Sequence, residues 1–176
     1  SLPGQSSPFG EWRMKLDFVV DDDLEGGGPF HDVMNNTLAS TFEITGSNTL
    51  KEYNVKKLYL DAFQAQSTAG GRRYPQVNQA ISNDIGNSLY LFYFGHGGIN
   101  GWAQERVLTT DEIQASNNFS NVYSRFPFVS TITCEFTLWD EPSTFSAGEQ
   151  FIKLKQGGPA AMITSSRAVG VPYGRS

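Results

Sequence analysis

Short apolar runs alternate with amphipathic stretches from Trp12 onward, and this alternation restricts the chain to a small set of folds. The runs are rich in β-branched and aromatic residues, as strands are, and turn residues separate them. Between them, apolar residues recur three or four positions apart, which is typical of helices packed on a sheet. The pattern therefore predicts βαβ units, a mostly parallel sheet and the α/β class. Strands are expected at residues 15–20, 55–60, 89–94, 126–133 and 160–164.

Helices are expected at residues 30–42, 77–85, 109–116 and 146–156. Gly157 and Gly158, followed by Pro159, mark the end of the last helix. Glu149 lies near its start, where a carboxylate favours the positive end of the helix dipole, so we assign Glu149 a structural role. Residues 1–10 are rich in Ser, Pro and Gly and are expected to form an extended lead-in.

Length and composition limit the classes of protein to which the chain can belong. Its 176 residues suit one compact domain. With 13 Lys and Arg against 18 Asp and Glu, the net charge is −5, and no basic footprint for a phosphate backbone is present. The longest apolar run, residues 89–94, is far shorter than the roughly 20 residues that span a bilayer. We therefore expect a globular domain without a nucleic-acid partner and without a membrane span.

His96 lies between Gly95 and Gly97, directly after the predicted strand 89–94. Glycine on both sides lets the backbone approach a ligand and leaves the imidazole sterically free. In α/β sheets, side chains that do chemistry lie just past the carboxyl ends of the strands. A lone histidine is more often structural, and His31, on the predicted helix 30–42, has only that interpretation. For His96 the placement favours a functional role.

Cys134 is the only cysteine, which excludes an internal disulfide and a multi-cysteine zinc site. It follows the predicted strand 126–133, where a thiol in a cleft becomes a nucleophile if a nearby imidazole favours the thiolate. An inert core thiol is the alternative. The 38 positions between His96 and Cys134 allow one helical crossover to a neighbouring parallel strand. Both groups would then emerge at one edge of the sheet, as a nucleophile and its base require.

Asp21, Asp22 and Asp23 follow the first predicted strand. Consecutive carboxylates repel one another and usually form a solvated loop, which could hold a cation through oxygen ligands, although the alternate spacing of a calcium loop is absent. At a strand end, one of them could instead face His96. Trp102 follows the histidine segment and is a candidate for lining a substrate cleft, although aromatic residues are more often part of the core.

Two other functions compete with a thiol enzyme. A doubly wound domain could keep such a sheet and serve only as a binding or assembly module. A phosphate-binding loop at residues 95–101 is the weaker alternative, because the spacing of its glycines does not fit a dinucleotide-binding motif and no lysine follows.

The sequence resembles the gingipain-type cysteine peptidases, and the resemblance covers nearly the whole chain. The residues that carry it are Tyr93-Phe94-Gly95-His96-Gly97, Trp102 with Leu108 and Asp111, Cys134, and Ala147-Gly148-Glu149-Gln150-Phe151 leading to Gly157-Gly158-Pro159-Ala160-Ala161. The resemblance implies a caspase-like three-layer sandwich, in which helices cover both faces of a mostly parallel sheet. It also implies acyl transfer without a cofactor or a metal.

The resemblance assigns roles to single residues. Cys134 would be the nucleophile and His96 its general base, and the backbone N–H groups of Gly97 and Cys134 would form the oxyanion hole. A family carboxylate that orients the histidine aligns with Asp23, and Asp22 is the next candidate. Arginine-specific members have an aspartate at the position of Gly28, so a basic preference at the cleavage site is not expected.

Two segments are most similar to the sortases of type IX secretion within this group. They are Phe9-Gly10-Glu11-Trp12-Arg13 running into Phe18-Val19-Val20-Asp21-Asp22, and Ser165-Ser166-Arg167. This similarity implies that residues 1–176 form a single catalytic subdomain of a longer protein, exported to the bacterial outer membrane or cell surface. The implied partners are peptide or protein substrates, an acceptor amine and other components of the secretion machinery.

Overall fold

A computed structural model of the chain describes residues 10–23, 29–39, 52–115, 125–155 and 157–170. The strands are β1 (Lys15–Val20), β2 (Asn54–Tyr59), β3 (Gln66–Thr68), β4 (Gly71–Arg73), β5 (Tyr90–Phe94), β6 (Gly97–Gly98), β7 (Gly101–Trp102), β8 (Leu108–Thr109), β9 (Phe128–Ile132) and β10 (Ala161–Ile163). The helices are α1 (Phe30–Ala39), α2 (Pro75–Asp84), α3 (Thr110–Ala115) and α4 (Ala147–Ile152), with short 3-10 turns at Glu11–Met14 and Leu60–Ala62.

Five strands form the main sheet in the order β10-β9-β5-β1-β2, and every pair of neighbours is parallel. These are the five strands that the apolar runs predict. The first has the predicted bounds, and the others begin or end one or two residues from them. The α/β prediction is therefore confirmed.

Helices pack on both faces of the main sheet, as predicted. Side chains alternate along each strand, so Val19 and Tyr93 face one core while Phe18, Val20 and Phe94 face the other. The first core contains apolar residues of α2, α3 and α4, and the second contains those of α1. This arrangement of helix, sheet and helix fits a caspase-like sandwich.

Two small sheets lie outside the predicted elements. Strands β3 and β4 form an antiparallel pair, and β6, β7 and β8 form a three-stranded antiparallel sheet directly after β5. Periodicity does not reveal such elements, because a strand of two or three residues is too short to alternate and three of the residues in β6 and β7 are glycines. The second of these sheets gives the segment after His96 a defined shape.

Several predictions fall on residues outside the described part of the chain. They are the lead-in at residues 1–9, the loop at 24–28, the predicted helix end at 40–42, and residues 116, 156 and 171–176. Among the helices that the structure describes, none combines the length and the apolar character that crossing a bilayer requires.

Candidate active site

The His96 segment leaves the sheet at the carboxyl end of β5 and stays close to the neighbouring strands. The Gly95 N–H donates to the carbonyl of Ile132 over 3.2 Å. A Cβ atom at Gly95 would lie 2.2 Å from the Cβ of Asp21. The φ of Gly95 is 157°, at the limit of the backbone region that favours glycine. A Cβ atom at Gly97 would lie 2.3 Å from the Thr133 Oγ1. Both glycines are therefore required for close packing between strand ends.

Two buried side chains hold the backbone of His96 on either side. The His96 N–H donates to the Asp21 Oδ2 over 2.8 Å, and the Tyr93 hydroxyl donates to the His96 carbonyl over 2.6 Å. Asp21 is 2% exposed and Tyr93 has no exposed surface. We call this pair the histidine clamp. It fixes where the Cα–Cβ bond of His96 points, whatever the orientation of the imidazole.

Burial dominates the electrostatics of the histidine clamp. It raises the pKa of Asp21 to about 7, although the N–H groups of His96 and Asp22 act in the opposite direction. It also raises the pKa of Tyr93 well above its usual value, and the nearby carboxylates of Asp21 and Glu105 add to the effect. The Tyr93 hydroxyl therefore keeps its proton and stays a hydrogen-bond donor to His96 at every pH at which the protein would work.

Cys134 follows β9 and is half-buried. Its sulfur accepts a hydrogen bond from the Val169 N–H at 3.5 Å and lies 3.8 Å from the Val169 carbonyl oxygen. The next residue, Glu135, has a left-handed backbone with φ of 48°, so the chain turns sharply after the thiol. Backbone strain of this kind is common at functional sites.

A second segment runs beside the cysteine turn. The Glu135 N–H donates to the Arg167 carbonyl over 3.3 Å, and the Thr137 N–H donates to the Ser165 carbonyl over 3.2 Å. This antiparallel pairing brings the segment that follows β10 over the thiol. Backbone from that segment therefore lies against the sulfur of Cys134.

The register of β5 and β9 brings His96 and Cys134 to the same level of the sheet. Phe94 of β5 pairs directly with Ile132 of β9. His96 lies two positions after Phe94, and Cys134 lies two positions after Ile132. Beyond the strand ends, Gly97 lies against the Thr133 side chain, so the two segments stay close together. The ends of β5 and β9 therefore lie side by side at one edge of the sheet, as predicted.

The imidazole of His96 has an apolar neighbour. It packs edge-on against the Phe30 ring, with centroids 5.3 Å apart and an interplanar angle of 86°. Its Nε2 atom is buried and has no hydrogen-bond partner among the described residues. Buried polar atoms usually have a hydrogen-bond partner, so a nitrogen without one fits an imidazole that acts on a ligand.

The other two aspartates of the acidic segment have different partners. The Asp22 carboxylate accepts hydrogen bonds from the Arg72 guanidinium at 3.0 Å and from the Tyr74 hydroxyl at 2.9 Å. The Asp23 carboxylate accepts the Phe30 N–H at 2.9 Å. Asp23 therefore supports the residue that packs on the imidazole of His96, and its predicted orienting role stays a prediction.

Asp23 also belongs to the one group of side chains in the described residues with a metal-like arrangement. One ligand atom each from Asp23, His31 and Asp61 lies within 4.8 Å of the others. Two carboxylates and an imidazole would suit a divalent ion such as Zn²⁺. The His31 Nδ1 is 3.5 Å from the Asp61 Oδ2, which also accepts the Asp23 N–H. The group is therefore accounted for by a contact between an imidazole and a carboxylate and by one backbone hydrogen bond.

A cavity of about 500 Å³ opens beside His96. Its walls are formed by residues 96–104, Arg106 and residues 109–111, and we call it the histidine-loop cavity. Trp102 borders it, but the indole has no exposed surface and stacks on Tyr93, with centroids 4.5 Å apart. The ring supports the wall from the core, and the substrate-binding role predicted for Trp102 stays a prediction.

Sequence reasoning missed the histidine clamp and the segment over the thiol. Asp21 was a candidate for facing the imidazole, whereas its carboxylate bonds the His96 backbone. Tyr93 looked like an ordinary strand residue. The available signal was the presence of two tyrosines, Tyr90 and Tyr93, in an otherwise apolar run, because a buried hydroxyl needs a partner.

Comparison with known proteins adds one match. The model of peptidase family C25 matches residues 3–176, nearly the whole chain. Neither the curated proteins nor the solved structures contain a significant match.

Proposed function

Because the chain belongs to peptidase family C25, the gingipain family of cysteine peptidases, we propose that it cleaves peptide bonds with Cys134 as nucleophile and His96 as general base. The observation that carries the proposal is the shared level of the two residues at adjacent strand ends, two positions beyond the paired Phe94 and Ile132. A nucleophile and its base need this proximity before their pKa values matter.

The proposed reaction is acyl transfer through a thioester. The Cys134 thiolate attacks the peptide carbonyl, the C–N bond breaks, and the His96 imidazolium gives its proton to the leaving amine. The backbone N–H groups of Gly97 and Cys134 would stabilise the oxyanion. Proton transfer contributes about 10²- to 10⁴-fold to such rates, and one oxyanion donor contributes about 10²- to 10³-fold.

We further propose that the acyl group passes to an amine rather than only to water. This finer assignment rests on the similarity to PorU, the sortase of the type IX secretion system, in residues 9–22 and 165–167. Such an enzyme would remove a secretion signal from cargo proteins at the bacterial cell surface. It would be exported, and its partners would be cargo proteins, an acceptor amine and other components of the secretion machinery.

Reaction with a peptidyl acyloxymethyl ketone, followed by intact-mass measurement, tests the proposed nucleophile. The expected result is one adduct on the parent chain, none on Cys134→Ala, and slow labelling of His96→Ala. Because the chain has one cysteine, the site of the adduct is unambiguous. An equal labelling rate in the parent chain and in His96→Ala would reject the base assignment.

One observation favours a binding or assembly module as the second candidate. The sulfur of Cys134 contacts both the N–H and the carbonyl of Val169, so backbone lies over the thiol. A module without activity would keep this contact and would form no adduct with the probe. An active enzyme must break the contact between Cys134 and Val169 when substrate binds. In that case, deletion of residues 168–176 would speed the labelling of Cys134.

A further inference from the structure

Three buried side chains behind the histidine segment carry polar atoms without a hydrogen-bond partner among the described residues. They are the Nε1 of Trp102 and the Oγ1 atoms of Thr131 and Thr133. Trp102 has no exposed surface, and each threonine is 2% exposed. Buried polar groups are nearly always paired with protein atoms or with ordered water, so three such atoms in one part of the core need an explanation.

The two threonines lie on the same face of the main sheet. Side chains alternate along β9, so Thr131 points to the same side as Val129, into the core that also contains Tyr93. Thr131 is the direct partner of Tyr93 in the neighbouring strand. Thr133 follows the end of β9, and its Oγ1 borders Gly97, where an added Cβ atom would lie 2.3 Å from it. Both hydroxyls are therefore next to the chain on either side of the β5 end.

The indole of Trp102 lies beside the same two neighbours. It stacks on the Tyr93 ring, with centroids 4.5 Å apart, and the Trp102 backbone pairs with Gly97 in the β6–β7 hairpin. Each threonine thus borders a residue that also contacts Trp102, because Thr131 borders Tyr93 and Thr133 borders Gly97. The three polar atoms therefore lie around one buried region between the strand ends.

The chemistry of these groups matches a water molecule. An indole N–H only donates, whereas a hydroxyl both donates and accepts. One water can accept from the Trp102 N–H and bond to both hydroxyls, and about three hydrogen bonds are typical of a buried water. An ion would need a charged partner, and none of the three groups carries a charge. Valine has the shape of threonine and would avoid the cost of unpaired hydroxyls, so the threonines favour a polar ligand.

From these observations we infer that Trp102, Thr131 and Thr133 bind an internal water molecule between the end of β9 and the β6–β7 hairpin. The water joins Thr133, which precedes Cys134, to Trp102, which pairs with Gly97. These two segments supply the N–H groups of the proposed oxyanion hole, so the water holds the two donors at a fixed separation. The water site stands on the packing alone, whereas its effect on catalysis rests on the proposed function.

Oxygen-17 relaxation dispersion of the solvent tests the site without requiring catalysis, because it detects long-lived internal waters and is blind to exchanging hydroxyl hydrogens. The parent chain is compared with Thr131→Val and Thr133→Val. Thr137→Val is the matched control, since the Thr137 hydroxyl is also buried but bonds to Thr164. We expect each of the first two variants to lose about one long-lived water per molecule and the control to lose none. Equal dispersion amplitudes in the parent chain and every variant would overturn the inference.

Kinetics then test the effect of the water on the proposed reaction. Thr133→Val should lower kcat by up to about a hundredfold with KM little changed, because the oxyanion donors are misplaced. Thr133→Ser keeps the hydroxyl and should retain both the water and the parent kcat. A parent chain without peptidase activity would refute the proposed function, while the dispersion measurement would still decide the water site. Loss of the water with an unchanged kcat would overturn the part of the inference that concerns the oxyanion hole.

Discussion

The Tyr93 hydroxyl is the part of the histidine clamp that can be removed with the least disturbance. Its ring stacks on Trp102 with an interplanar angle of 3°, so Tyr93→Phe keeps the packing and deletes the hydroxyl that donates to the His96 carbonyl. We expect a loss of about 1–2 kcal/mol in the free energy of unfolding, because the carbonyl loses its buried partner. We also expect kcat to fall by up to about a hundredfold with KM little changed, because the base is misplaced.

Tyr90→Phe is the matched control, since Tyr90 lies on the same strand β5 with its ring in the other core. It should leave kcat at the parent value. Equal effects of the two substitutions on kcat would mean that the Tyr93 hydroxyl acts through general stability and does not position His96.

Gly97 has no room for a side chain, whereas its neighbour Gly98 has open space within 4 Å. A methyl group at Gly97 would meet the Thr133 Oγ1 at 2.3 Å and the Gly101 carbonyl oxygen at 2.9 Å. Gly97→Ala should therefore lower the free energy of unfolding by about 1–3 kcal/mol. Denaturant unfolding of Gly97→Ala beside Gly98→Ala checks this, and equal stabilities of the two variants would contradict the close packing.

Asp17 makes stability depend on pH far from the site. Burial raises its pKa to about 6 from 3.8, while Ser88 donates a hydrogen bond to its carboxylate. The folded protein therefore holds this proton more tightly than the unfolded chain. The corresponding stability is complete below about pH 4 and is lost as the pH rises through 6.

The asparagine of Asp17→Asn cannot titrate. The decline in the free energy of unfolding between pH 4 and pH 6 should therefore become smaller by up to roughly 3 kcal/mol. Asparagine keeps an oxygen that accepts from Ser88. Unfolding free energies measured across this pH range test the prediction, and parallel curves for the parent chain and Asp17→Asn would refute it.

At the scale of elements, the start of α4 joins the two halves of the candidate site. The Ala147 N–H donates to the Ile99 carbonyl in the histidine segment, and the Gly148 N–H donates to the Phe136 carbonyl after the cysteine turn. A capping box of Ser146 and Glu149 fixes this helix start. The structural role predicted for Glu149 is therefore confirmed.

Ser146→Ala removes both the cap and a buried hydroxyl that accepts the Leu138 N–H. We expect a loss of about 1–2 kcal/mol in the free energy of unfolding. Ser143→Ala is the control, because its hydroxyl bonds only to the exposed side chain of Glu141 among the described residues. A thermal or denaturant midpoint for Ser146→Ala equal to that of Ser143→Ala would show that the cap contributes nothing.

For the whole molecule, apolar period and turn residues predicted the five parallel strands and the helices that cover the sheet, because these signals are local. The placement of helices on both faces was implied by the resemblance to the gingipain-type peptidases. The sequence also predicted that His96 and Cys134 follow neighbouring parallel strands and so lie at one edge of the sheet, and β5 and β9 are such neighbours. The histidine clamp joins Asp21 to a residue 75 positions later, and periodicity carries no information on such a contact. Trp102 illustrates the same limit, because its burial depends on partners from β5 and from the turn after β9.

The rate of Cys134 alkylation by iodoacetamide, measured against pH in the parent chain and in His96→Ala, tests the central pairing of thiol and imidazole most directly. If the two side chains interact as proposed, the parent thiol reacts at pH 6.5 roughly tenfold faster than the thiol of His96→Ala, because an imidazolium favours the thiolate. Superimposable profiles for the two proteins would contradict the account, since the cysteine would then react without any influence of the histidine beside it.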